Sequence, residues 1–434
     1  MAQRPVTIVE ADRARLLAAV DAEREDMLAL LQQLVRMPSV GGTGEENAIQ
    51  HVLAGWLEAE GLVTDLWPLP LAELAAEPDF PGMEVLRTEG WGLVGRQPGA
   101  GSGPSLMLNG HVDVVPPGDL AAWTTGQPYS GRIENGRLFG RGACDMKAGL
   151  VAAMWAVRGL VRSELALGGD VLLASVQGEE DGGLGTYALL KRGWRADACV
   201  IPEPTGLDLV AATAGALTFR LRIRGHATHA SRRTEGESAL EHFWPVWQAL
   251  SALERQRNAN VDPLMQRWPM PYALSIGTLQ CGDWASSVPD LLVAEGRFGV
   301  ALDEPVAVAR RSFEAVVASV SEAHPWLRSH PVEVEWWGGQ FASGRLPAGS
   351  GLLDSMRAAH LIAGGARARE PATWGAPYGS DLRLMAGIGG VPTLHYGPGD
   401  AGLAHGPDES VPLDDVQVAA RALAVCALDF VGLA

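Results

Sequence analysis

Apolar positions recur along the chain with two different periods. Met27, Leu28, Leu31, Leu34 and Val35 fall at helical spacing, the stripe of an amphipathic helix that stops before Pro38. Short apolar runs then alternate with helical patterns, giving strands at 105–115, 170–176 and 198–202 and a helix at 146–161. This alternation predicts an α/β sheet with mostly parallel pairing. Between 214 and 337 the period drops to two. Leu217, Phe219, Leu221 and Ile223 alternate with Thr218, Arg220, Arg222 and Arg224, the signature of a strand with one buried and one wet face. Similar strands are read at 272–280, 292–300 and 332–336. Helices fit at 238–255, where Pro245 intrudes, and at 306–320. The order βαββαβ is the ferredoxin-like arrangement. A helix at 352–363, a strand at 391–396 and a closing helix at 413–430 resume the first style. The expected architecture is one α/β domain, 1–213 and 338–434, interrupted by a smaller α+β domain, 214–337.

The 434 residues are 47% apolar and 20% charged, which excludes disordered and fibrous classes. Lys and Arg number 34 against 51 Asp and Glu, a net charge of −17. Such a surface repels a phosphate backbone or an anionic membrane, so neither nucleic acid nor membrane is expected as a partner. The charged first turns and the lack of a long apolar run predict a cytoplasmic protein. Cys144, Cys199, Cys281 and Cys426 are widely spaced, which suggests neither a disulfide framework nor a thiolate zinc site.

Candidate chemistry sits at predicted strand ends. His111 and Asp113 are two apart at the end of the first strand, a spacing that suits a metal-binding His supported by a carboxylate, although taken alone it favours a structural hydrogen-bonded pair. Asp145 stands where a glycine-rich turn enters a helix, as a ligand or as an N-cap. Glu179, Glu180 and Asp181 follow a buried strand, where three repelling carboxylates call for a cation or a held proton unless the turn is simply solvated. Glu203 follows the next strand, and His405 lies in a later loop. Carboxyl ends of sheet strands are where open α/β sheets build their sites.

Taken together, the segments NGHVDVVP, GRGACDMKAG, GEEDGG, PEPT, GHATHAS and GPGDAGLAHGPDES resemble the M20 metallopeptidase family of dinuclear-zinc amidohydrolases. The resemblance spans nearly the whole chain. It implies a catalytic domain with a ferredoxin-like lid through which the chain forms a homodimer. It also implies that Asp145 bridges two metals, with His111 and Glu203 on one and Glu180 and His405 on the other. Zinc is the expected ion, and cobalt or manganese would also suit two His among oxygen ligands. Glu179 would be the general base, and Asp113 would orient His111. The implied reaction is hydrolysis of an N-acyl amino acid by a metal-bound hydroxide, with a short peptide as the alternative substrate for a dipeptidase or carboxypeptidase. A binding protein that has lost catalysis is a further alternative, against which all six matched positions are intact. His229 matches the histidine that reaches into the partner's active site to steady the oxyanion. Two segments depart from the family. Ser286 and Ser287 stand where many relatives have an asparagine before Val-Ile-Pro, and Arg297 lies eight rather than ten residues after Pro289. That shift of two keeps Arg297 on the same strand face, where it would clamp a substrate carboxylate or pair with Glu295.

Overall fold

The computed structural model describes residues 8–365 and 368–434; the first seven residues, part of the stretch read above for a leader, lie outside them. Among the described residues, nine strands form one mixed sheet. Its centre is parallel: Leu106–His111 lies between Val171–Val176 and Ala198–Ile201, and Thr393–His395 follows on the far side of Ala198–Ile201. These strands are buried at every position, as expected where helices cover both faces. Pairing turns antiparallel toward both edges, at Val63–Pro68 with Trp91–Gln97 and at Leu209–Thr213 with Gly344–Arg345, so the sheet is mixed rather than mostly parallel.

Lys147–Ser163 is buried nearly all round because it lies under the sheet against Leu413–Val431. Its start is pressed unusually close to the neighbouring turn. A Cβ on Gly149 would stand 1.7 Å from the Pro202 carbonyl oxygen, and one on Gly397 would stand 2.3 Å from the same atom. Only glycine allows both approaches, and they set Asp145 and Glu203 side by side.

A second sheet is antiparallel throughout, in the order Leu274–Cys281, Leu291–Val300, Gly215–Arg224, Glu333–Phe341. Helices Ala239–Arg257 and Val306–Ala323 pack on its apolar face, where Leu217, Phe219, Leu221 and Phe298 meet Val246, Phe313 and Val317. The first of these helices runs through Pro245 without ending. On the wet face, Arg220 pairs with Glu295 at 2.6 Å and with Glu335 at 3.0 Å. The last strand continues to Phe341, beyond the end at 336 read from alternation, because a bulge after Trp336 interrupts the period.

A small third sheet joins Ser410–Pro412 to Arg137–Phe139 and Arg132–Glu134. It has a direct consequence for the site, since it draws the loop of His405 beside the loop of Asp145. Among the described residues no helix is long and apolar enough to cross a membrane.

Candidate active site

His111 ends one central strand, while Glu179–Glu180 and Glu203 follow the two strands flanking it. Asp145 and His405 arrive from the two loops joined by the small sheet. The five expected ligands therefore meet at one end of the parallel core. Asp145 lies between the two histidines: its Oδ1 is 3.1 Å from His111 Nε2, and its Oδ2 is 3.6 Å from His405 Nε2. Glu203 Oε1 stands 3.9 Å from His111 Nε2, and Glu180 Oε2 stands 3.0 Å from His405 Nε2. One ligand atom from each of His111, Asp145 and Glu180 falls within a mutual 4.8 Å, so the groups expected on both ions meet in one cluster. Asp145 does not cap the following helix, whose flanking residue is Met146.

The Asp113 carboxylate has a different contact from the one read off the sequence. His111 Nδ1 lies 2.9 Å from the Asp113 backbone oxygen, nearer than its carboxylate at 3.6 Å. The carboxylate instead accepts the backbone amides of Glu179 and Glu180, at 3.3 and 3.1 Å. Asp113 thus holds the acidic loop while its carbonyl fixes the imidazole, leaving Nε2 to face Asp145.

The three consecutive acids also divide their tasks. Glu180 faces His405, and Glu179 is buried in the wall of the cavity. Asp181 turns away to Arg87 at 2.9 Å, and Arg87 holds Glu46 through its other side, also at 2.9 Å. Burial first, and then neighbouring carboxylates, push Glu179 and Glu203 well above the usual carboxylate range and raise Glu180 as well. Asp145 is held low despite its burial, because His111 hydrogen-bonds to it. Contact with Glu180 pushes His405 up to about 9. Buried carboxylates that raise one another's proton affinity, interleaved with two imidazole nitrogens, fit divalent cations, which remove that repulsion.

The cavity is lined by Asp145, Glu179, Glu180, Glu203 and His405 on one side and by Arg297, Phe341, Tyr378 and Ser380 on the other. Arg297 makes no ion pair among the described residues, since Glu295 is taken by Arg220. His229 does not line this cavity. It is exposed, its Nδ1 lies 2.8 Å from Ser231 Oγ, and its backbone bridges to Ser287.

Several residues at the site have contacts that the sequence did not point to. Arg383 is buried, donates to the carbonyls of Gly182 and Ser380, and lies 3.9 Å from the centre of the Phe341 ring. The pairings of Arg141 with Glu409 and of Arg87 with Glu46 and Asp181 likewise emerge only in the fold. The signal available was a charged residue inside a glycine-rich or acidic motif, but its partner lies far along the chain.

An α/β sheet with a cluster of imidazoles and carboxylates at its carboxyl edge defines a candidate metal-dependent hydrolase. The family model of Peptidase family M20/M25/M40 matches residues 107–429, and the chain belongs to this family of enzymes acting on amide and peptide bonds. An N-formyl-4-amino-5-aminomethyl-2-methylpyrimidine deformylase of Halalkalibacterium halodurans is 25% identical over 92% of this chain and 93% of its own length. A succinyl-diaminopimelate desuccinylase of Methylorubrum extorquens is 34% identical over 52% of this chain and 57% of its own. Among solved structures, a dinuclear metal binding peptidase of the M20 family from Bacillus subtilis superimposes with a TM-score of 0.59 at 15% identity, covering 94% of this chain and 99% of that one.

Proposed function

We propose that the chain is a two-metal amidohydrolase that cleaves the amide bond of an N-acyl amino acid. The observation that carries this reading is Asp145, whose two oxygens face two different histidines. His111, Glu203 and Asp145 would hold one ion, and His405, Glu180 and Asp145 the other. The ions, for which zinc suits the donor set best, would supply Lewis acidity to the acyl carbonyl and make hydroxide accessible near neutral pH.

Glu179 has no histidine partner in the site and acts as the base. It takes a proton from the water that adds to the acyl carbon, and it gives that proton to the amine nitrogen as the C–N bond breaks. Its burial in the cavity wall beside the expected ligands puts its carboxylate within the space where both halves of the exchange take place. Arg297, at the cavity wall and without an ion pair among the described residues, binds the substrate carboxylate.

The 214–337 segment serves as lid and dimer contact. Leu240, Trp244, Leu279 and Trp284 are exposed on it, large apolar side chains that a second copy could cover. His229 then acts on the partner's cavity.

Hydrolysis of a panel of N-acyl amino acids and dipeptides by metal-loaded protein, with metal content measured in parallel, tests the reading. Turnover of N-acyl amino acids with two ions per chain is expected. Cleavage of dipeptides alone would make the chain a dipeptidase, and a metal-free or inert protein would end the proposal.

A further inference from the structure

Ser380 and His395 form a buried pair behind the cavity wall that the proposed reaction leaves without a task. Ser380 Oγ lies 3.0 Å from His395 Nε2 and also accepts the Leu382 amide at 3.2 Å. Ser380 lines the cavity with Glu179 and Arg297, whereas His395 is fully buried at the end of a central strand. The other ring nitrogen, Nδ1, is buried with no hydrogen-bond partner among the described residues.

A neutral imidazole carries one N–H and one lone pair. With the proton on Nδ1, a buried N–H would be left without an acceptor, which is a rarer and costlier arrangement than an idle lone pair. The proton therefore belongs on Nε2, where it is donated to Ser380 Oγ. The same missing acceptor argues against a doubly protonated ring, and burial pushes His395 down to about 3. Both lone pairs of the serine oxygen are then occupied, one by His395 and one by Leu382. Its own O–H is left to point at whatever the cavity holds.

We infer that His395 is a positioning residue that fixes the Ser380 hydroxyl as an obligate hydrogen-bond donor, so that this wall accepts a carboxylate or acyl oxygen and rejects an ammonium group. Arg297, on the same cavity and without an ion pair among the described residues, adds a second donor. The choice of ligand rests on the proposed function, but the position of the proton does not.

Two measurements test the inference separately. In nitrogen-15-labelled protein, the imidazole signals that vanish in His395→Gln belong to His395, and at pH 7 they should show the neutral Nε2–H form. An Nδ1–H or doubly protonated ring overturns the inference. Kinetics with N-acetyl amino acids form the second arm. His395→Gln, whose amide N–H can replace Nε2–H, should keep KM within about threefold of the parent. His395→Leu should raise KM about tenfold with kcat little changed, the loss of roughly one hydrogen bond. Ser380→Ala should do the same, and the Ser380→Ala/His395→Leu double variant should be no worse than either single variant. Additive losses, or equal damage in His395→Gln, would make His395 a packing residue only and sink the idea. If no N-acetyl amino acid is hydrolysed, the proposed function fails while the spectrum still decides the proton's place.

Discussion

Arg141 and Glu409 form a buried ion pair, with Nη1 and Oε2 2.6 Å apart, and its free ends hold two different ligand loops. Glu409 Oε1 accepts the backbone amides of Cys144 and Asp145, at 2.9 and 3.1 Å, while Arg141 Nη2 donates to the His405 carbonyl at 2.9 Å. Removing one partner leaves the other charge buried and alone. Arg141→Met should therefore lower unfolding stability by about 3–5 kcal/mol. It should also weaken metal binding by about 10- to 100-fold, as loss of a group supporting the ligands usually does. Denaturant titration and metal calorimetry read the two effects, and unchanged metal affinity would show that the pair serves stability alone.

Glu179 and Asp145 should separate by metal content. Glu179→Gln keeps the shape and removes the proton acceptor, so both ions should stay while kcat falls by about 100-fold or more. Asp145→Ala should lose both ions, because that carboxylate faces both histidines. Loss of an ion in Glu179→Gln would mean that Glu179 and Glu180 have been given each other's roles.

Arg297 should discriminate substrates by charge. Arg297→Ala is expected to raise KM strongly for N-acyl amino acids as free acids and little for the matching esters or amides. Equal effects on both series would remove the clamp.

His229 should act across the dimer. His229→Ala and Glu179→Ala homodimers should each be nearly inactive. After subunit exchange, half the dimers are mixed and half of their sites complete, so activity should return to roughly a quarter of the parent. No recovery after verified exchange would place His229 in its own chain's site or outside catalysis.

Acid should destabilise the fold through His395. Burial lowers its folded-state value to about 3 from an ordinary value of 6.5. Its contribution is therefore complete above about pH 6.5 and drains away as the pH falls toward 3, since the unfolded ring binds a proton that the folded ring refuses. His395→Gln should flatten the stability profile across that window by about one proton's slope, as read by denaturant midpoints at several pH values. An unaltered slope would show that His395 titrates normally in the folded chain.

The central strands of the large sheet and all four strands of the second were legible in the sequence because burial imposes a local period, whereas the outer strands Val63–Pro68, Trp91–Gln97, Leu209–Thr213, Gly344–Arg345 and Thr373–Ala376 carry no such pattern. The βαββαβ order appeared strand by strand from alternation such as Leu217–Ile223, and the strands carrying His111, Glu179 and Glu203 from short apolar runs. What alternation cannot report is which remote segment a polar side chain meets. Arg220 and Arg297 read alike as polar-face arginines, yet the pairing of three strands gives Glu295 and Glu335 to the first and leaves the second facing the cavity.

The sequence by itself therefore determined the order of the central strands and of the βαββαβ segment, the family resemblance and the residue types available for two metals. Only the tertiary structure decided how they are used. It set Asp145 between His111 and His405, gave the Asp113 carboxylate to the amides of Glu179 and Glu180, turned Asp181 to Arg87, and backed Ser380 with His395. Each of these contacts joins separate elements through a directional hydrogen bond or a buried charge. Their geometry exists only once the sheets are paired and water is excluded, which is why no pattern along the chain could announce them.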